Sequence, residues 1–159
     1  MSSFRKIIYS SLFFITACGF SPLYTSNDPS LLIGQIRIQE PNSQDEFIFY
    51  SRLVDRLGQA DDKYILNYAI TSTKEDRALN FDGTAHRVEI FGSVSFSLKD
   101  KEKEIELLYD KEEMYLSYSN SGSTAAVLNA ERDTNKQLVI LLADKVADRI
   151  SLTIVEENL

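Results

Sequence analysis

The chain has 159 residues, of which 43% are hydrophobic and 26% are charged, and its 24 acidic and 17 basic residues give a formal net charge of -7. This composition is typical of one globular domain and not of a disordered or fibrous protein. An acidic chain without a basic cluster does not attract phosphate backbones, so nucleic-acid binding is not expected. One cysteine and one histidine exclude an internal disulfide and a Cys/His zinc site.

The N-terminus has the three parts of a secretory signal peptide. Arg5 and Lys6 supply the positive charge, Ile7–Ala17 is an uncharged and mostly apolar run, and the only cysteine, Cys18, follows directly. Eleven helical residues span about 16 Å, roughly half of a bilayer core, so a permanent transmembrane helix is not expected. The sequence therefore predicts a signal peptide over residues 1–17.

Residues Ile15–Cys18 resemble a bacterial lipobox, in which cleavage leaves an N-terminal cysteine that carries diacylglycerol and an acyl chain such as palmitate. The resemblance implies that Cys18 is lipidated and holds the protein on a membrane surface, since two or three chains anchor firmly. Gly19 follows the cysteine where an aspartate would favour the inner membrane. This implies the periplasmic side of the outer membrane. The alternative is an ordinary cleavage site beside a free cysteine.

The mature chain is predicted to contain a short tether and one folded domain. Prolines and turn-forming residues between Phe20 and Pro29 cannot continue a helix or a central strand. We therefore expect a lipidated tether over residues 18–29 and a domain over residues 30–159.

Hydrophobic periodicity predicts four strands and two helices in the domain. The strands are expected over residues 32–38, 64–70, 87–99 and 105–118. Ser43 and Gly58 cap a first helix of about sixteen residues, and Ser123 caps a second of about thirty. A polar stretch over 71–80 leads from the second strand into the Asp82-Gly83 turn signal. The alternation of the fourth strand changes phase at 111–113 in a way that suggests a bulge. The order favours an α+β two-layer sandwich, with a four-stranded, mostly antiparallel sheet and both helices packed on one face.

The third strand has one apolar face and one polar face. Ser93, Ser95 and Ser97 lie on the polar side, which is predicted to be wet or to contact a polar partner. Aromatic residues at outward or ambiguous positions are further candidates for a contact surface, since exposed rings often mark one. They are Phe49, Phe81, Phe91 and Tyr115. The alternative is that these rings lie in the core beneath the helices.

The sequence offers no convincing active site. His86 has no cysteine to activate, and the glycine-rich and serine-hydrolase motifs are missing. Acidic residues are numerous in and near the hairpin between the third and fourth strands, where a charge run is normally a solvated face. They are Glu102, Glu104, Glu106, Glu112 and Glu113. We predict no enzyme, no metal site and no cofactor other than the lipid on Cys18; a hydrolase would have to use His86.

Residues Cys18–Tyr24 resemble the mature start of alphaproteobacterial members of the LptE family of lipopolysaccharide-assembly lipoproteins. Shorter matches occur at Ile36–Ile38, Arg52–Leu57, Tyr64–Leu66 and Thr84–Arg87. The resemblance implies a non-enzymatic lipoprotein that lodges inside the outer-membrane β-barrel LptD, assists its assembly and helps deliver lipopolysaccharide to the outer leaflet. A polar strand face is compatible with a plug in a wet lumen.

The resemblance also implies basic, lipopolysaccharide-binding side chains near the loop between the second and third strands and near the start of the last helix. Arg77, Arg87 and Arg132 lie in these regions, and arginine binds phosphate bidentately. The alternative is that Phe81 or Glu131 occupies the positions where the family has these basic side chains.

A second function remains open from the residues: a periplasmic lipid- or ligand-binding lipoprotein that serves an ABC-type transporter. Such a protein needs an apolar cavity between sheet and helices, whereas a plug needs a filled core.

Overall fold

The computed structural model describes residues 34–58, 63–79 and 85–157. Its elements, in chain order, are β1 (Ile36–Ile38), α1 (Gln44–Leu57), β2 (Tyr64–Leu79), β3 (Ala85–Asp100), β4 (Ile105–Ser119) and α2 (Thr124–Glu157). The predicted α+β architecture and element order are confirmed. Cys18, the signal peptide over 1–17, the tether over 18–29 and the limits of the 30–159 domain lie outside the described residues.

The four strands form one mixed sheet in the order β1-β2-β3-β4. β1 pairs with β2 in parallel, with Ile36 opposite Tyr64, and the other two pairings are antiparallel. The strand predicted over 32–38 is described only from residue 34, and there it is confined to three residues. The antiparallel part of the sheet is therefore much longer than the parallel part.

β2 continues through the polar stretch that follows its apolar alternation. The strand runs to Leu79, which lies opposite Ala85 of β3. Side chains on both faces are exposed over residues 71–77, so no apolar alternation marks this half of the strand. Backbone pairing with β3 holds it extended instead, so the strand is longer than the predicted 64–70 and includes residues 71–79 of the polar stretch.

The predicted bulge at 111–113 is also wrong. The pairing between β3 and β4 is unbroken from Asp110 to Ser119, and the irregularity leaves Leu107 as an extra residue between Leu108 and Glu106. Asp110 and Glu112 lie on the helix side of β4, where they pair with Arg149 and Lys145 of α2 at 2.9 and 3.2 Å. These charged side chains interrupt the apolar alternation on the helix side of β4. The sequence therefore shows an apparent change of phase although the strand has no bulge there.

The predicted capping residues stand at the ends of the helices. Ser43 Oγ accepts a hydrogen bond from the Glu46 N–H at 3.2 Å, and Gly58 adopts φ 72° and donates its N–H to the Val54 carbonyl. A left-handed φ of this kind costs glycine nothing. Ser123 Oγ accepts from the Ala126 N–H at 3.3 Å and starts α2.

The core lies between the helices and one face of the sheet. Phe49 of α1 is fully buried, and its ring lies 4.8 Å from that of Tyr68 on β2, so Phe49 is a core residue and not a surface contact. α2 buries a long apolar stripe against the sheet and α1, as the helical spacing predicts. Its members are Leu138, Val139, Leu142, Ala143, Val146, Ala147, Ile150 and Ile154.

Ion pairs join the exposed sides of the two helices. Arg52 of α1 binds Asp144 of α2 through both carboxylate oxygens at 2.9 and 3.1 Å. Arg56 reaches the same carboxylate at 3.1 Å and Asp148 at 2.5 Å. The hydrogen bond to Asp144 raises the pKa of Arg52. These two arginines belong to the Arg52–Leu57 match, and in the structure they fasten α1 to α2.

α2 approaches the sheet closely at Gly92 of β3. A Cβ at this position would lie 2.6 Å from Leu138 Cδ2 and 3.1 Å from Leu142 Cδ1. α2 therefore rests directly on the strand backbone, with no room for another methyl group.

We predict that Gly92→Val lowers the free energy of unfolding by about 1–3 kcal/mol, because overpacking forces α2 and β3 apart. Ser95→Val adds the same branched side chain to the opposite face of the same strand and serves as the control, with a change below about 1 kcal/mol. Urea unfolding followed by circular dichroism measures both. Equal losses in the two variants would contradict this account.

Candidate functional site

The sheet face turned away from the helices is polar. Thr71 Oγ1 and Ser93 Oγ lie 2.9 Å apart across β2 and β3, and Ser95 and Ser97 are partly exposed further along β3. Ser93 is only 6% exposed, so the prediction of a wet side chain is wrong at this position. Its small side chain sits in the middle of the sheet, opposite the longer Glu113.

Aromatic rings extend this face onto β4. The rings of Phe91 and Tyr115 lie 4.7 Å apart, within the range of a favourable aromatic pair. Tyr115 is 58% exposed and Tyr109 is 71% exposed. Tyr115 is therefore a surface residue as expected, while Phe91 is partly covered and Phe81 lies outside the described residues.

Arg77 and Arg87 are cross-strand partners on this same face. Arg77 is already occupied, since it pairs with Glu75 at 2.8 Å and with Glu89 at 3.1 Å. Arg87 is exposed and forms no ion pair with the described part of the chain. Only Arg87 of this pair has its guanidinium available for an incoming anion.

Arg132 lies on the other side of the sheet. It lines a surface cleft of about 280 Å³ between α2 and the strands, together with Ser72, Lys74, Ile90, Glu131 and Asn135. The structure thus brings Arg77 and Arg87 together but separates them from Arg132. Both sites lie at the same end of the sheet, because Arg87 is opposite Ser119 and α2 begins shortly after that residue.

A three-residue network occupies this cleft. Lys74 Nζ donates to Glu131 Oε1, and the Tyr118 hydroxyl donates to Glu131 Oε2 at 3.2 Å. The hydrogen bond raises the pKa of Lys74 and lowers the pKa of Glu131, while burial raises the pKa of Tyr118. The sequence did not indicate Lys74, because it lies in the polar stretch beyond the predicted second strand. Its pairing with buried Ile90 places it on the helix side of the sheet.

We predict that Glu131→Gln destabilises the protein at neutral pH by up to about 1 kcal/mol, since the pair is partly exposed. A depressed carboxyl pKa contributes stability above its unfolded-state value, and that contribution is lost as pH falls through the folded-state value. The gap between wild type and variant should therefore close in acid. Thermal unfolding across this pH range measures it, with Glu75→Gln as the exposed control; a gap that persists in acid would refute the assignment.

Two further properties bear on the chemistry of the site. Within residues 34–58, 63–79 and 85–157, no group of three or more His, Cys, Asp or Glu side chains is placed to hold a metal ion. None of the described helices is both long and apolar enough to cross a membrane. His86 lies in β3.

Three solved structures share this fold. A lipoprotein from Caulobacter crescentus CB15 gives a TM-score of 0.61 at 17% identity and covers 77% of this chain and 91% of its own. Rare lipoprotein B from Shewanella oneidensis gives 0.59 at 18%, covering 79% and 98%. Lipoprotein B from Nitrosomonas europaea gives 0.60 at 14%, covering 75% and 83%. At these identities the likeness shows the fold alone, which places the chain in a structural class represented by bacterial lipoproteins.

The family can be stated from the sequence itself. The model of the LptE family, described as lipopolysaccharide-assembly, matches residues 33–150. This match covers well over half of the chain, so the chain belongs to the LptE family, as the residues Cys18–Tyr24 indicate, and acts in lipopolysaccharide assembly. The family consists of non-catalytic lipoproteins of the cell envelope. No curated protein sequence matches the chain.

Proposed function

We propose that the chain is an outer-membrane lipoprotein, anchored through lipidated Cys18 on the periplasmic side, that plugs an LptD-type β-barrel. In this role it assists assembly of the barrel and helps deliver lipopolysaccharide to the outer leaflet, without catalysis. One observation carries the proposal: the sheet has a filled core on one face and, on the other, a polar surface that no described element covers.

The filled core argues against the alternative of a ligand-binding lipoprotein. A cavity for a lipid would lie between the sheet and the helices. Here Leu138 and Leu142 touch the backbone of β3 at Gly92, and Phe49 and Leu53 of α1 are fully buried beside them. Side chains fill the centre of the space that such a ligand would need.

The opposite face has the character that a barrel lumen requires. The interior wall of an outer-membrane barrel is polar and hydrated. The hydroxyl groups of Thr71, Ser95 and Ser97 and the exposed ring of Tyr115 provide hydrogen-bonding and aromatic contacts on that face. Transfer of such a surface from bulk water to a wet interface costs little free energy, because bridging waters maintain its hydrogen bonds.

The anchor is supported by the N-terminal sequence. Cys18 stands at the end of an apolar signal run and within a lipobox-like segment. Because the only cysteine occupies this place, lipid on Cys18 explains its position. Gly19 after the cysteine supports the outer membrane as the destination.

Arg132 is the residue we propose for direct contact with lipopolysaccharide phosphate. The overall charge of -7 repels phosphate, so contact requires a local group of the opposite sign. Arg132 is exposed and has no ion-pair partner among the described residues, and Lys74 and Ser72 line the same cleft. Arg87 is the second candidate, whereas Glu75 and Glu89 already neutralise Arg77.

We predict that Arg132→Gln weakens binding of purified chain to lipopolysaccharide about tenfold, the size of one charge-assisted hydrogen bond. Lys136→Gln removes an equal charge one turn further along α2, outside that cleft, and should change binding less than twofold. Arg77→Gln should resemble this control. Titration by calorimetry at low and high salt gives the affinities, and equal effects of Arg132→Gln and Lys136→Gln would exclude a specific phosphate contact.

We expect a C-terminally tagged chain, purified from detergent-solubilised outer membranes, to recover a large β-barrel in stoichiometric amount. Mass spectrometry identifies the partner. Cys18→Ser should release the chain from the membrane fraction, and His86→Ala should leave recovery of the barrel unchanged. Recovery of an ABC-transporter component without a barrel would overturn the plug assignment and favour the ligand-binding alternative.

A further inference from the structure

Among the described strands, the sheet has two edges with unpaired stretches. β4 is an edge strand throughout, and β1 covers β2 only at Tyr64–Leu66, so β2 is open from Ala69 onward in the described part of the chain. An open strand presents unpaired N–H and C=O groups that invite another strand, and proteins normally protect such edges.

Charge protects the open side of β2. Four consecutive charged residues, Lys74, Glu75, Asp76 and Arg77, stand along it. An added strand would have to pack beside all of them, which disfavours pairing.

Two side chains cap the middle of β4. Asp110 Oδ1 accepts the backbone N–H of Lys111 at 2.8 Å, and Lys145 Nζ donates to the backbone carbonyl of Glu113 at 3.2 Å. These backbone groups therefore point away from β3. Asp110 on the helix side of β4 and Lys145 of α2 occupy these groups, so the middle of the β4 edge is closed to a partner strand.

The segment Tyr115–Ser119, here called the open edge, is protected neither by charged residues nor by capping side chains. It contains no charged residue. Backbone direction alternates along an antiparallel strand, so Tyr115 and Ser117 face the same side as Lys111 and Glu113. No described side chain caps their N–H or C=O groups, and Tyr115 is 58% exposed.

We propose that the open edge receives an extended segment of the β-barrel partner, which adds to the sheet as a further strand beside β4. The inference rests on the proposed function for the existence of that partner. Backbone hydrogen bonds supply the affinity in such strand addition. On the inner face the added segment meets Leu116 and Tyr118, and on the outer face it meets the ring of Tyr115, so apolar or aromatic side chains suit both of its faces.

The small size of the open edge indicates which kind of protein supplies the added strand. Five paired residues bury far less than the roughly 1,200–2,000 Å² that a stable free-standing complex needs. A second copy would also bring its own net charge of -7 to the contact. The added strand must therefore belong to a protein held in place by a larger interface, as a barrel wall around the plug would be.

Ser117→Pro tests the proposal in the full-length lipidated chain co-produced with the barrel. Proline removes the outward N–H but leaves the bonds of β4 to β3, as edge strands tolerate. We expect about tenfold less barrel recovered per tagged chain under stringent detergent washing. Ser117→Ala changes only the side chain and should recover as much as wild type. A thermal melt shows whether each variant folds.

Residue-resolved amide exchange on the wild-type complex provides a second test that needs no variant. The Tyr115 and Ser117 amides should exchange at least about tenfold more slowly in the complex than in the isolated chain. The Ser72 and Lys74 amides, on the charged side of β2, should not slow. If wild type recovers the barrel while Ser117→Pro recovers it equally and these amides stay unprotected, the proposal is wrong and the proposed function stands. If wild type recovers no barrel, the proposed function itself fails.

Discussion

The contact of α2 with the middle of β3 is the constraint on which the rest of this structure depends. Leu138 and Leu142 rest on the backbone at Gly92, which is possible only because glycine has no Cβ to keep the helix away. This contact brings the long apolar stripe of α2 against the sheet. α2 and α1 occupy one face, whereas no element of residues 34–58, 63–79 and 85–157 covers the other, so the described core lies on one side of the sheet.

That one-sided packing also decides where the charges go. Arg149 and Lys145 of α2 reach Asp110 and Glu112 on the inner face of β4. Carboxylates in this position would be costly if they were buried alone, but here each has a cationic partner on the covering helix. Through the caps at Lys111 and Glu113, the same residues close the middle of the sheet edge. Helix packing and edge protection are therefore parts of one arrangement.

Strand geometry divides the basic side chains between the two faces of the sheet. Successive residues of a strand point to opposite faces, so Arg77 and Arg87 lie on the open face whereas Lys74 lies on the helix side beside Glu131. An acidic protein needs local basic groups to bind an anionic partner. Of the three arginines predicted for this role, Arg77 already has carboxylate partners, which leaves Arg87 and Arg132 without an ion pair among the described residues.

The sequence by itself determined the α+β architecture, the element order, the caps at Ser43, Gly58 and Ser123 and the family, because periodicity, capping and the Cys18–Tyr24 segment depend on neighbouring residues. It did not determine that the strand continues to residue 79, since neither face is buried over residues 71–77 and pairing with β3 keeps the segment extended. Nor did it show that Asp110 and Glu112 face α2, or that Glu131 holds Lys74. Such contacts join residues far apart in the chain, so only the tertiary structure, through strand register and helix packing, decided them.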